Sequence, residues 1–163
     1  PVGTTDLVLY FVAQGVKRMA AKLAKSDLPA MKVRERITFA VRTRLEVDEA
    51  NREALRRATA YLALPTSGTT GVRALYGTVD AIWRAAGDTS TDYNFYTKRL
   101  ILSGVYSSTL AIWFGDDTDG FEKTWTFLDR RIAEIITAKG QYEIHAPAAG
   151  TVSCLEETDA VGP

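Results

Sequence analysis

The chain has 163 residues, 46% of them hydrophobic and 25% charged, and its formal charges sum to zero, the composition of one ordinary globular domain. Its single cysteine, Cys154, cannot form an internal disulfide, and with His145 as its single histidine the chain offers no convincing zinc site, Ser-His-Asp triad or Cys-His pair. With no apolar run of about 20 residues and no basic leader at PVGTTDLVLY, it reads as a soluble protein of a reducing compartment.

The 3.6-residue spacing of apolar side chains predicts about six helices and no strand, so the expected class is all-α. The first helix spans about Thr4 to Lys25, with Leu7, Val8, Phe11, Val12, Val16, Met19 and Leu23 as its apolar side. Ser26, Asp27 and Pro29 break it and start a second, which runs to about Glu46 along Val33, Ile37, Val41 and Leu45. A third follows Asn51 and stops before Pro65, because proline lacks the backbone donor that a continuing helix needs. PTSGTTG reads as a turn, and after it Val72, Leu75, Tyr76, Val79, Ile82, Trp83 and Ala86 give the clearest amphipathic pattern, closed by Gly87.

Asp88 to Asp92 offers several capping side chains to a fifth helix that reaches about Phe114. That helix is apolar nearly all round, through Leu100, Ile101, Leu102, Val105, Tyr106, Leu110, Ile112 and Trp113, so it is expected at the centre of the fold or in an oligomer interface. The sixth begins near Phe121 and presents Trp125, Leu128, Ile132, Ile135 and Ile136. From Gly140 the composition turns to Ala, Pro, Gly, Thr and acids without period. Residues 1–140 are therefore read as one helical domain and 141–163 as a disordered tail. A helix that starts so close to residue 1 suggests that an upstream region has been removed.

After Lys139 there are four acidic residues and no Lys or Arg, which leaves a surplus of four positive charges before it, much of it between Lys17 and Arg57. Such a face could meet anionic lipid or nucleic acid, but interleaved acids favour an ordinary solvated surface. GDDTDG at residues 115–120 resembles a calcium loop, yet with Gly120 as the loop glycine the first and twelfth positions fall on Gly115 and Thr126, where acidic ligands are required. A helix-to-helix turn is the expected reading, and SGTTG, lacking the Gly-Lys-Ser/Thr of a phosphate loop, is another. Asp92, Phe95, Tyr96 and Arg99 fall at i, i+3, i+4 and i+7 on one helical face, a mixture of rings and opposite charges that suits a protein interface as well as it suits a cap above a core.

W-x3-GD (Trp83, Gly87, Asp88), STD-x-N-x-YT-[KR]-R (Ser90 to Arg99) and F-E-x-TW-x-FL (Phe121 to Leu128), at these spacings, closely resemble the accessory lipid-binding family of ubiquinone biosynthesis, the ninth Coq protein of mitochondria and its alphaproteobacterial relatives. The likeness is strongest from Val79 to Ile136 and collinear back to Asp6. What the resemblance implies is a TetR-like helical ligand domain, usually dimeric. Its implied role is a non-catalytic protein that binds isoprenoid lipid, ubiquinone intermediates above all, and presents it to the di-iron demethoxyubiquinone hydroxylase. The family's hydroxylase-binding surface carries over to Leu45, Asp80, Ile82, Asp92, Phe95, Tyr96 and Arg99. Phe95 and Ile82 stand where mitochondrial members have tryptophan and methionine. The animal proteins end in an amphipathic membrane-binding helix, which the sequence after Gly140 does not reproduce.

For the lipid itself, each buried methylene gains about 0.8 kcal/mol, so drawing a prenyl chain from a bilayer requires an equally apolar cavity. Val79, Trp83, Leu100, Val105, Tyr106 and Trp125 are expected to line or border it, with the fifth helix as its wall. No catalytic residue, metal or cofactor is expected besides the lipid, and no nucleic acid for this stretch of chain. The expected location is the bacterial cytoplasm at the inner membrane, or the matrix side of that membrane in a eukaryote. The competing reading is the sensing domain of a TetR-type repressor, which would need an upstream helix-turn-helix; an enzyme is the remotest.

Overall fold

The computed structural model describes the backbone of residues 3–88 and 93–145, with side chains for 3–88 and 95–135. The protein is all-α: among these residues lie α1 (Thr4–Leu23), α2 (Val33–Glu46), α3 (Arg52–Leu62), α4 (Thr69–Ala85), α5 (Tyr93–Gly115) and α6 (Glu122–His145), joined by short 3-10 turns. α5 packs between α4 and α6, α1 lies across α2 and α4, and α3 closes the end formed by α1, α4 and α5.

The core takes one stripe from each helix: Met19 and Leu23, then Ile37, Val41 and Leu45, then Leu55, Val79, Ile82, Leu128 and Ile132. α5 is not buried all round, as its sequence led one to expect. Leu102, Val105, Tyr106, Thr109, Leu110 and Trp113, spaced by threes and fours, face inward, while Leu100, Ile101 and Ile112 are exposed. A helix packed on two neighbours hides only the faces turned toward them.

Helix ends are closed by side chains. Arg36 donates from Nε to Met31 O at 2.8 Å, from Nη2 to Pro29 O at 3.1 Å and from Nη1 to Ala86 O at 3.2 Å, so it ties the start of α2 to the carbonyl end of α4. There Gly87 takes φ +87°, the left-handed closure that glycine makes at least cost. At the α5–α6 junction Arg52 donates to the carbonyls of Trp113 and Asp116. Asp116 caps α6 by accepting from Thr124 N at 2.8 Å and Thr124 Oγ1 at 2.6 Å, and also from Thr118. Burial works against its charge, but these hydrogen bonds hold its carboxyl well below the ordinary carboxylate range. The first acid of GDDTDG, Asp116, thus serves a helix cap.

Two boundaries differ from expectation. α4 begins at Thr69, inside the stretch read as a turn, because Gly71 lets α4 lie directly on α3; a Cβ there would come within 2.2 Å of the Leu62 carbonyl oxygen. α6 continues to His145, past Gly140 where the helix was expected to end, since one glycine weakens a helix without stopping it and Gln141 to Ile144 can continue the coil. Residues 146–163 lie outside the described residues. The basic stretch from Lys17 to Arg57 is laced with ion pairs, Lys22 and Arg42 to Glu46, and Arg56 and Arg57 to Glu53, so it is a solvated mixed-charge surface.

Candidate ligand cavity

A cleft of about 560 Å³ opens between α1, α3, α4 and α5, within the range of sites that hold small molecules. α3 contributes Leu55, Thr59 and Leu62, α4 contributes Gly71, Val72, Ala74, Leu75 and Thr78, and α5 contributes Tyr106, Ser107, Leu110, Ala111 and Phe114. Val12 closes it from α1, and Leu64, Pro65 and Gly68 form the rim. The space exists because the first half of α4 carries small residues on the side it turns inward, and it is largely apolar because most of its other lining side chains are aliphatic or aromatic. Leu64 and Val72 are exposed as well as lining, so the rim itself is greasy.

Arg44 is the one charged side chain among the lining residues, and it is 0% exposed. Its Nη1 pairs with Asp48, which also accepts from Arg18. Gly15 of α1 makes room for this cluster: a Cβ there would stand 2.5 Å from Asp48 Oδ2 and 2.8 Å from each terminal nitrogen of Arg44. Tyr106, also lining, has its hydroxyl pKa raised by burial, with only partial relief from the neighbouring guanidinium, so it stays a neutral donor at physiological pH.

On the other side of α4 a second cationic cluster sits against α5. Arg99 is 1% exposed, donates from Nε to Asp80 at 2.7 Å and from Nη1 to Asp88 at 3.1 Å, and lies 3.4 Å from the centre of the Phe95 ring. Asp80 also pairs with Arg84, and Asp88 with Lys98. Phe95 meets Tyr96 edge-on at 5.1 Å, and Tyr96 is 67% exposed.

The COQ9 family profile matches residues 68–139, which span α4 to most of α6. A mitochondrial ubiquinone biosynthesis protein COQ9-B of Xenopus laevis is 34% identical over 142 residues, 83% of this chain and 48% of that protein. The corresponding COQ9 proteins of Rattus norvegicus and Homo sapiens are 35% and 33% identical, each over 78% of this chain and 43% and 42% of their own length. The chain belongs to the COQ9 family. It spans less than half the length of these relatives.

The COQ9-matched helices α4 and α5 supply more than half of the cavity wall, but not through the residues expected from the sequence. Of the six expected lining residues only Tyr106 borders the cleft. Val79 and Val105 are buried in the solid part of the core, where α4 and α5 meet. Trp83 is half-buried at the same contact, its Nε1 donating to Lys98 O at 3.2 Å. Trp125 lies at the start of α6 under Arg42, 4.7 Å from its ring centre, and donates to Gly120 O at 2.8 Å. Leu100 is 75% exposed. The cavity uses the first half of α4 and the second half of α5, whereas of the expected residues Val79, Trp83 and Val105 lie in or against the packed core, Leu100 points outward and Trp125 sits on α6.

The expected COQ9 partner surface divides in the same way. Leu45 and Ile82 are fully buried and Arg99 nearly so, so none of the three can touch a partner directly in this conformation; they support the surface from beneath. Tyr96 is outward, Phe95 half-buried and Asp80 at the edge. Asp92 lies outside the described residues. Arg44 and the small residues of α4 went unrecognised, though a cation three residues after Val41 in the apolar stripe of α2, with an acid four residues on, was the available signal.

Proposed function

We propose that this chain acts in ubiquinone biosynthesis as a non-catalytic lipid-binding accessory, holding an isoprenoid quinone intermediate and presenting it to the demethoxyubiquinone hydroxylase. The observation that carries the reading is the apolar cleft with a greasy rim, and the names of its COQ9 relatives supply the pathway. The ring and first prenyl units of the ligand occupy the cleft, and the rest of the tail leaves past Leu64 and Val72. The protein collects its lipid from the surface of the quinone-bearing membrane; among the described residues no helix is long and apolar enough to cross a membrane. That membrane is the inner membrane, of a bacterium or of a mitochondrion; the relatives are named as mitochondrial. Tyr96 with Phe95 and Asp80 forms the contact to the hydroxylase, and the exposed Leu100, Ile101 and Ile112 face pairs two copies.

Ala74→Phe tests this reading. Ala74 lines the cleft and is only half-buried, so a ring there fills the space without displacing the core. Titration with a short-tailed ubiquinone is expected to give saturable binding by the wild-type chain and binding at least about tenfold weaker by the variant, about 1.4 kcal/mol, with unchanged helical circular dichroism. Equal binding by the two would move the ligand out of the cleft.

A further inference from the structure

The lipid reading leaves one buried group without a task. Arg44 carries five N–H donors. Nη1 meets Asp48, but Nε and Nη2 have no hydrogen-bond partner. Buried donors on a charged group are costly when unmet, and folded proteins rarely leave them so. Thr43, Thr109, Trp113 and Arg131 also hold a partnerless buried polar atom, but none of them lines the cleft. Arg44 is fully buried, charged and part of the cavity wall.

The charge balance points the same way. Asp48 is shared by Arg44 and Arg18, so the cluster holds one net positive charge, and among the described residues no acidic one lines the cleft. Tyr106 adds a hydroxyl that burial keeps protonated. An apolar chamber with a cationic donor in its wall is complementary to an amphiphile whose head is an oxygen acceptor.

Resting on the lipid-binding reading, we infer that Arg44 is a headgroup anchor. In this conformation its free N–H groups are shielded; a small movement of the side chains in the cleft wall brings them onto an oxygen acceptor of the bound lipid, a quinone carbonyl or a carboxylate, while the apolar walls take the chain. Gly15 is part of the device, because any side chain there would push the guanidinium away from its place. The head therefore selects the ligand, and the tail supplies undiscriminating affinity.

Three probes with comparable prenyl chains test the inference: a short-tailed ubiquinone, an isoprenoid carboxylate and an isoprenoid hydrocarbon without oxygen. The wild-type chain is expected to bind at least one oxygenated probe roughly tenfold to a hundredfold more tightly than the hydrocarbon, the range for hydrogen bonds to a charged group. A preference for the carboxylate identifies an anionic head, and a preference for the quinone a neutral one. Arg44→Met alone leaves the buried Asp48 with only the partly exposed Arg18 as partner, so the double variant Arg44→Met, Asp48→Asn carries the mutational arm. It is expected to bind all three probes within about threefold of each other. Equal affinity of the wild-type chain for hydrocarbon and oxygenated probes overturns the anchor while leaving the lipid site intact, and so does a head preference that survives in the double variant. Binding of none of the three overturns the lipid reading itself, and the anchor with it.

Discussion

Asp48→Ala is expected to lower the stability of the fold by about 3–5 kcal/mol, the cost of stranding a buried charge. Asp48 is fully buried, pairs with the equally buried Arg44 and also accepts from Arg18. Removing it leaves a guanidinium with no counter-charge in the wall of an apolar cleft. Arg18 is partly exposed and can turn to water, so most of the loss falls on Arg44. Urea unfolding followed by circular dichroism reads this as a lower midpoint at unchanged slope. The double variant Arg44→Met, Asp48→Asn is expected to regain most of the loss, because a buried pair replaced as a unit is often neutral. A loss under about 1 kcal/mol for Asp48→Ala would mean that water reaches Arg44 freely and that its burial is not maintained in solution.

Arg99→Met is expected to cost about 3 kcal/mol, at the lower end of the range for a broken buried pair. The change takes the shared guanidinium of α5 away from Asp80 of α4 and from Asp88 just beyond the end of α4, with Arg84 and Lys98 as remaining partners. It also removes the cation held over Phe95, worth up to about 2 kcal/mol where desolvated. Tyr96→Ala, three residues away but exposed, is expected to stay within about 0.5 kcal/mol of wild type. The contrast between neighbours of one helical face separates scaffold from surface: Arg99 holds α5 to α4, whereas Tyr96 is free for contact. Equal losses for the two would show that the Tyr96 ring is packed in solution.

Most of the helices are legible in the sequence because their apolar residues recur at threes and fours and their ends carry proline, glycine or capping side chains. Pro65, Gly87 and Asp116 stand at such ends and act there. α5 is harder. Its apolar residues run round the whole circumference, so periodicity gives no direction, and only the positions of α4 and α6 decide that Leu102, Val105 and Trp113 turn inward while Leu100 turns out. Gly71 misleads for a related reason. Locally it resembles turn material, but its purpose is a close crossing with Leu62 that no local pattern records.

The site is less legible than the fold. Large apolar residues such as Trp83 and Val105 attract attention as ligand contacts, yet large residues fill space, and the cleft exists where small ones leave it, at Gly71, Ala74 and Thr78. Arg44 and Arg99 look like surface charges in a mixed-charge chain. Asp48 lies four residues from Arg44, within helical reach, but Asp80 lies nineteen residues from Arg99, and the second pairing exists only once α4 and α5 have packed.

Native mass spectrometry of the purified chain shows whether the cleft holds an isoprenoid. The expected spectrum carries an added mass that fragments as an isoprenoid, or acquires one on mixing with ubiquinone, and that mass is lost in Ala74→Phe. A wild-type spectrum that stays at the bare protein mass after quinone is added would contradict it.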